Sequence, residues 1–225
     1  MYCLFRLALT LNYFLNEKFK VDLDHAEKMT GLFLHNLREN RQRSDERVDD
    51  WRLSLWKEAL SPLYVHLADE VYKEWLLLRY QYVKVSPDVK SLLCELRDKY
   101  RLALISNGTS DAQWEKITIC GLKPYFDCIV VSGDTPWKKP DVNIIYMACD
   151  ELNVKPDQCL IIGDRVETDI EGGKNAHLAA TVWVNYDSSY QTLPNENNYP
   201  DFIVHNVMEL KNVLEELTAK KRQLS

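Results

Sequence analysis

Five short apolar runs, none alternating with polar residues, govern what this chain can fold into: Leu102–Ile105, Cys128–Val131, Leu160–Ile162, Ala180–Val184 and Phe202–Val204. A run without alternation is a strand covered on both faces, and such strands belong to a parallel sheet with crossover helices. The segments between the runs have the spacing that crossovers require. Val89, Leu92, Leu93 and Leu96 fall at i, i+3, i+4 and i+7 after Ser86-Pro87, a helix start with proline at its first position. Further helices are predicted over Asp111–Cys120, from Pro140, and over Glu167–His177. A closing helix carries Leu210, Val213, Leu214 and Leu217 on one face, and Asn195–Asn198 reads as a polar loop.

Upstream of Ser86 the chain has another character. Of seven glycines only Gly31 precedes Gly108, and only Pro62 precedes Pro87. Leu23–Ala26 and Leu34–Leu37 sit among charges. Trp51, Leu55 and Leu60 continue the pattern through Arg52, Lys57 and Glu58, and Leu67–Leu78 forms another such stretch. Three or four amphipathic helices with few turns account for this. The fold class is therefore α/β, with a helical domain over residues 1–85 and a parallel-sheet domain over residues 86–225.

Charge and cysteine usage narrow the function. Lys and Arg number 28 against 34 Asp and Glu, a net charge of −6, so general nucleic-acid binding through phosphate neutralisation is not expected. The apolar opening Met1–Leu15 is interrupted by Arg6 and Asn12, follows no basic stretch, and is too short to span a bilayer; it reads as a packing helix, and no membrane partner is expected. The six cysteines include no C-x-x-C pair, and several lie in apolar runs, as in Asp127-Cys128-Ile129-Val130. They read as reduced, buried thiols of a cytoplasmic protein. The five histidines have no ligand spacing, so zinc is not expected.

Reactive residue types gather where strands end, the edge at which open parallel sheets bind ligands. Ile105 runs into Ser106-Asn107-Gly108-Thr109, Val131 leads through Ser132-Gly133-Asp134 to Lys138-Lys139-Pro140, and Ile162 runs into Gly163-Asp164, with Asp169 five residues on. Ser106, Lys139, Asp164 and Asp169 together suit a phosphate-plus-metal site. The carboxylates match hard Mg²⁺, and the hydroxyl and ammonium match phosphoryl oxygens. Each cluster alone has a second reading: a turn at Ser106-Asn107-Gly108, a helix cap at Asp164, a solvated loop at Lys138-Lys139-Pro140.

The order Ser106-Asn107-Gly108, Lys139-Pro140, Gly163-Asp164-x4-Asp169 resembles the second, third and fourth motifs of the haloacid dehalogenase superfamily. The stretches Ile161–Ala176 and Ala180–Asn185 are most similar to its sialic-acid phosphatases. The resemblance implies a Rossmann-like core with residues 1–85 as a helical cap, and a phosphomonoester hydrolase acting on a phosphorylated sugar, an acylneuraminate 9-phosphate. It implies that Ser106 and Asn107 contact phosphate, that catalytic Lys139 neutralises the phosphoryl group, and that Asp164 ligates Mg²⁺ with Asp169 supporting the metal site.

That superfamily's first motif, Asp-x-Asp-x-Thr after an apolar strand, supplies the nucleophile and the general acid/base. Here the one Asp-x-Asp is Asp22-Leu23-Asp24, preceded by Lys18-Phe19-Lys20-Val21 and followed by no nearby threonine or serine. Two lysines stand where a central strand is apolar, so Asp22 reads as a helix start. The resemblance then implies a first strand upstream of Met1, lying mid-sheet between the strands that end at Ser106 and Asp164, with Leu4–Leu11 the one segment able to fill its place. Two readings stay open: a phosphatase chain without its start, or a catalytically inactive relative that binds phosphate compounds or a protein partner.

Overall fold

The computed structural model describes residues 2–39, 46–186 and 199–223; Asn195–Asn198 lie outside them. In chain order the elements are α1 (Tyr2–Phe19), α2 (Leu23–Glu39), α3 (Val48–Ala59), α4 (Ala68–Tyr82), α5 (Pro87–Arg97), β1 (Ala103–Ser106), α6 (Ser110–Ile119), β2 (Cys128–Val131), α7 (Val142–Leu152), β3 (Leu160–Gly163), α8 (Glu171–Asn175), β4 (Ala180–Val184), β5 (Phe202–Val204) and α9 (Leu210–Gln223). They form two compact units, Met1–Lys84 with Trp114–Cys120, and Val85–Gln113 with Gly121–Ser225.

The helical unit packs around aromatic rings. Phe33 of α2 stacks on Trp56 of α3 with centroids 3.9 Å apart, and Trp75 of α4 meets Phe33 edge-on at 5.1 Å. Leu7, Leu11 and Leu15, one turn apart on α1, are fully buried, so the apolar opening segment is a helix and not a strand. Asp22 begins α2: its carboxylate accepts the N–H groups of Asp24 and His25 at 3.0 and 3.4 Å, as an N-cap does.

Glu115 ties the second half of α6 into this unit. It accepts both terminal nitrogens of Arg52 at 3.1 and 2.6 Å, Nη2 of Arg79 at 3.3 Å and the Tyr80 hydroxyl at 3.1 Å. Burial raises the Glu115 carboxyl, but the Arg52 bonds and charge outweigh it and hold the group below the usual carboxylate range. The two guanidinium carbons lie 5.5 and 5.7 Å from the Trp75 ring, which gives these buried cations a second favourable surface.

The other unit is the α/β fold that its apolar runs predict. All strand pairs are parallel, but the strands form two sheets, β1-β2 and β3-β4-β5. Helices cover both faces. On one face Leu92 and Leu96 of α5 and Leu210 and Val213 of α9 pack with Val182, Val184 and Val204, against Leu102, Leu160 and Ile162. On the other, Ile144, Ile145, Ala148 and Cys149 of α7 pack with Cys128 and Val130, against Ala103, Ile105 and Ile161. The second cluster draws on both sheets, through Ala103 and Ile105 of β1, Cys128 and Val130 of β2 and Ile161 of β3. Every residue of β4 is buried, whereas every residue of β1 and β3 is only half-buried.

Local chemistry sets two boundaries. Ser86 caps α5 by accepting the Val89 N–H, with Pro87 at the first position. The helix predicted from Pro140 begins at Val142, because the Asp141 side chain accepts the Asn143 N–H at 2.9 Å and caps it there. The helix predicted over Glu167–His177 is divided: Val166–Ile170 makes a wide π turn and only Glu171–Asn175 is α-helical. The Arg165 N–H is drawn to the side chain of Asp169, and the Arg165 carbonyl accepts from both Asp169 and Ile170 at 2.8 and 3.4 Å.

Candidate active site

The carboxyl ends of β1 and β3 meet at Lys139. Its ammonium donates to the Ile105 carbonyl at 2.8 Å and lies 2.7 Å from Oδ1 of Asp169, with both side chains mostly buried. The Asn107 side chain holds the lysine's main chain in both directions: its Nδ2 donates to the Lys139 carbonyl at 2.8 Å and its Oδ1 accepts the Lys139 N–H at 2.9 Å. An amide can do this because it carries donor and acceptor on one carbon. The strand end thus fixes where the lysine starts, and the Ile105 carbonyl and Asp169 fix where its charge ends.

Asp169 is the most enclosed carboxylate of the cluster. Its Oδ2 accepts the Arg165 N–H at 3.1 Å, while Oδ1 faces Lys139 and the Thr168 hydroxyl. The carboxylate lies against Gly163, where any Cβ would overlap it. A side chain at position 163 would therefore displace Asp169 from Lys139, so glycine is required there for close approach. Gly108 meets a different demand, a φ of +144° in the loop after β1. Its N–H donates to the Ser132 hydroxyl at 2.9 Å, which joins this loop to the one after β2.

Three of the residues that the sequence singles out, Asn107, Lys139 and Asp169, are thus directly bonded in one net. Ser106 stands at the same strand end, but its hydroxyl donates to Oε1 of Gln113 at 2.7 Å. Asp164 follows β3 with an exposed carboxylate outside this net; its carbonyl accepts from the Trp183 indole at 3.2 Å. Gln113, Ser132 and Trp183 are not legible as site residues in the sequence, since each acts through a fold-dependent contact with no local spacing to mark it. Among the described residues one group of three metal-ligating side chains converges elsewhere, Asp22, Asp24 and His25; all are exposed, and Asp22 is the cap of α2.

Residues 8–183 match the family of haloacid dehalogenase-like hydrolases. The chain is 39% identical over 178 residues to the N-acylneuraminate-9-phosphatase of Rattus norvegicus, covering 77% of this chain and 71% of that enzyme, and 38% identical over 179 residues to the Homo sapiens one. A glyceraldehyde 3-phosphate phosphatase of Methanopyrus kandleri is 32% identical over 141 residues, 62% of this chain and 60% of that protein. In fold it is similar to a haloacid dehalogenase phosphatase from Thermococcus onnurineus (TM-score 0.61, 24% identity, 95% of this chain and 91% of that one). A Bacillus subtilis hydrolase of the same type, solved bound to magnesium, is also similar (TM-score 0.63, 22% identity, 94% and 92%). A parallel α/β core, a lysine and aspartate paired at its strand ends, and a match over most of its length make this chain a member of the haloacid dehalogenase-like hydrolase family.

Proposed function

We propose that this is a phosphatase-type domain that holds a phosphorylated sugar acid, with an acylneuraminate 9-phosphate as its ligand, residues 1–85 as a helical cap domain and residues 86–225 as the core. The observation that carries the reading is the Asn107–Lys139–Asp169 net at the ends of β1 and β3. It fixes one ammonium, buried and oriented, where a phosphoryl group would need neutralising. Ser106 would lend its hydroxyl from the same strand end, and Asn107 acts by positioning the lysine. The likeness to the sialic-acid phosphatases supports the ligand class.

The metal this family implies fits the donors present. Asp164 offers an exposed carboxylate at the end of β3, and Mg²⁺ keeps most of its waters while taking one or two carboxylates and phosphate oxygens. Both oxygens of Asp169 are engaged, so it would support the site by holding Lys139 in place. Bound there, Mg²⁺ would supply charge to the phosphoryl oxygens.

The step that breaks the ester needs an attacking carboxylate, and among the described residues no strand lies between β1 and β3 to carry one. We infer that the described residues hold a phosphate compound without themselves turning it over. Calorimetric titration of inorganic phosphate with Mg²⁺ should show saturable binding that Lys139→Ala abolishes. Phosphate release from an acylneuraminate 9-phosphate should stay at background. Absence of binding would refute the site, and turnover lost in Asp22→Asn would give Asp22 the attacking role.

A further inference from the structure

Two thiols meet where α7 hands the chain on to β3. Cys149 lies in the third turn of α7, and Cys159 is the residue before β3. The Cys149 thiol donates to the sulfur of Cys159 at 3.9 Å, and the Cys159 thiol donates to the Lys155 carbonyl at 3.3 Å. At 3.9 Å the sulfurs are in van der Waals contact, with no room for another heavy atom between them. Cys149 is buried, whereas Cys159 is half-buried and reaches solvent.

The main chain at both thiols is tied down. The Cys149 carbonyl accepts the Val154 N–H at 3.0 Å, just past the left-handed Asn153 that ends α7. The Cys159 N–H donates to the Pro156 carbonyl at 3.0 Å, and its carbonyl accepts the Ala179 N–H at 2.8 Å. Between them the Lys155 N–H donates to Oε1 of Gln158 at 3.0 Å. The pair is therefore held together by the fold, and groups so held react as if at high concentration. Other thiols are placed differently. Cys128 donates to the Glu151 carboxylate at 2.9 Å, which keeps it protonated, and Cys94 is exposed. Burial raises both Cys149 and Cys159, but at Cys159 the bond from Cys149 works against burial. Cys159 is thus the more accessible of the two and the better nucleophile.

We propose that Cys149 and Cys159 form a modification site, a dithiol that hydrogen peroxide converts to a disulfide across the α7–β3 crossover. The Cys159 sulfur attacks one peroxide oxygen: the S–O bond forms, the O–O bond breaks, and the departing hydroxide takes the thiol proton as water. The Cys149 sulfur then attacks the sulfenic sulfur: the S–S bond forms, the S–O bond breaks, and a second water carries off the Cys149 proton. Two thiols lose two electrons and two protons, and one peroxide becomes two waters. The bond ties α7 to the start of β3 and closes residues 150–158 into a loop. In a reducing compartment the thiols persist, so the bond records exposure to peroxide.

Differential alkylation of the 225-residue chain tests this without any phosphatase assay. The folded protein is treated with hydrogen peroxide, freed of it with catalase, unfolded in denaturant and alkylated with iodoacetamide. Labelling of Cys149 and Cys159 should be lost, labelling of Cys128 should persist, and dithiothreitol before alkylation should restore the two lost labels. Digestion after Glu151 should yield the Cys149 and Cys159 peptides joined, and lighter by two hydrogens than the separate pair. Cys94→Ser should form the same bond. In Cys149→Ser, peroxide should leave Cys159 as a sulfenic acid that dimedone captures. Retention of both labels, a loss that dithiothreitol does not reverse, a bond from either thiol to another cysteine, or no dimedone adduct at Cys159 overturns the proposal. The parent protein's labelling decides the matter even where a serine variant fails to fold.

Discussion

Lys139 and Asp169 sit 2.7 Å apart, 30 residues distant in sequence, with side chains 13% and 6% exposed. A pair this enclosed differs from a surface ion pair: removing one partner leaves the other's charge without water or counter-ion. Lys139→Met should cost about 3–5 kcal/mol by that mechanism. The double variant Lys139→Met/Asp169→Leu should regain most of the loss, since neither charge remains. Urea unfolding of the three proteins checks this, and equal stability of single and double variants would contradict it.

Acid should loosen the fold through two carboxylates held below their usual range. Burial raises the Glu115 carboxyl, and Arg52 more than offsets that; burial raises Asp201, and bonds from Lys174 and Thr181 more than offset that. A depressed folded value means that the stabilisation is complete above the unfolded values, 4.5 and 3.8, and is lost as pH falls through the lower folded ones. Glu115→Gln and Asp201→Asn should each start less stable at neutral pH and lose less on acidification. Unfolding curves across that acidic range report the slope, and a slope as steep as the parent's would refute the assignment.

Two glycines should respond in opposite directions to the same substitution. Gly31 lies inside α2, and a methyl added there would meet nothing within 4 Å, so Gly31→Ala should stabilise by about 0.5–1 kcal/mol. Gly163→Ala forces a methyl into the Asp169 carboxylate and should cost about 1–3 kcal/mol. Thermal unfolding midpoints distinguish the two signs directly.

Thiol reactivity should follow burial. The Cys128 and Cys149 thiols are pushed up to about 12, first by burial and then by the acidic groups and thiols beside them, whereas Cys94 is exposed. Iodoacetamide at neutral pH should modify Cys94 in the folded protein, and Cys128 and Cys149 only in denaturant. Mass spectrometry of the digested protein reads this, and labelling of Cys149 under native conditions would contradict it.

The parallel strands are legible in the sequence because burial on both faces leaves a plain trace, as in Cys128–Val131 and Ala180–Val184. The helix start at Ser86-Pro87 is legible because capping is local. The π turn at Val166–Ile170 is not, because it depends on Asp169 bonding the Arg165 amide, a contact that no periodicity records. At the site, residue types at strand ends point to Asn107, Lys139 and Asp169. The bonds themselves stay hidden: Asn107 grips the lysine's main chain, and Gln113 takes the Ser106 hydroxyl through a helix turn placed only by folding.

The reciprocal grip of Asn107 on Lys139 also gives the molecule a chemical age. Asn107 precedes a glycine, so little hinders its side chain from losing nitrogen to slow hydrolysis over time. The carboxylate left behind only accepts, so it would keep the Lys139 amide and confront the Lys139 carbonyl with a second oxygen at 2.8 Å. An old molecule would then carry a loosened lysine loop in an otherwise unchanged fold.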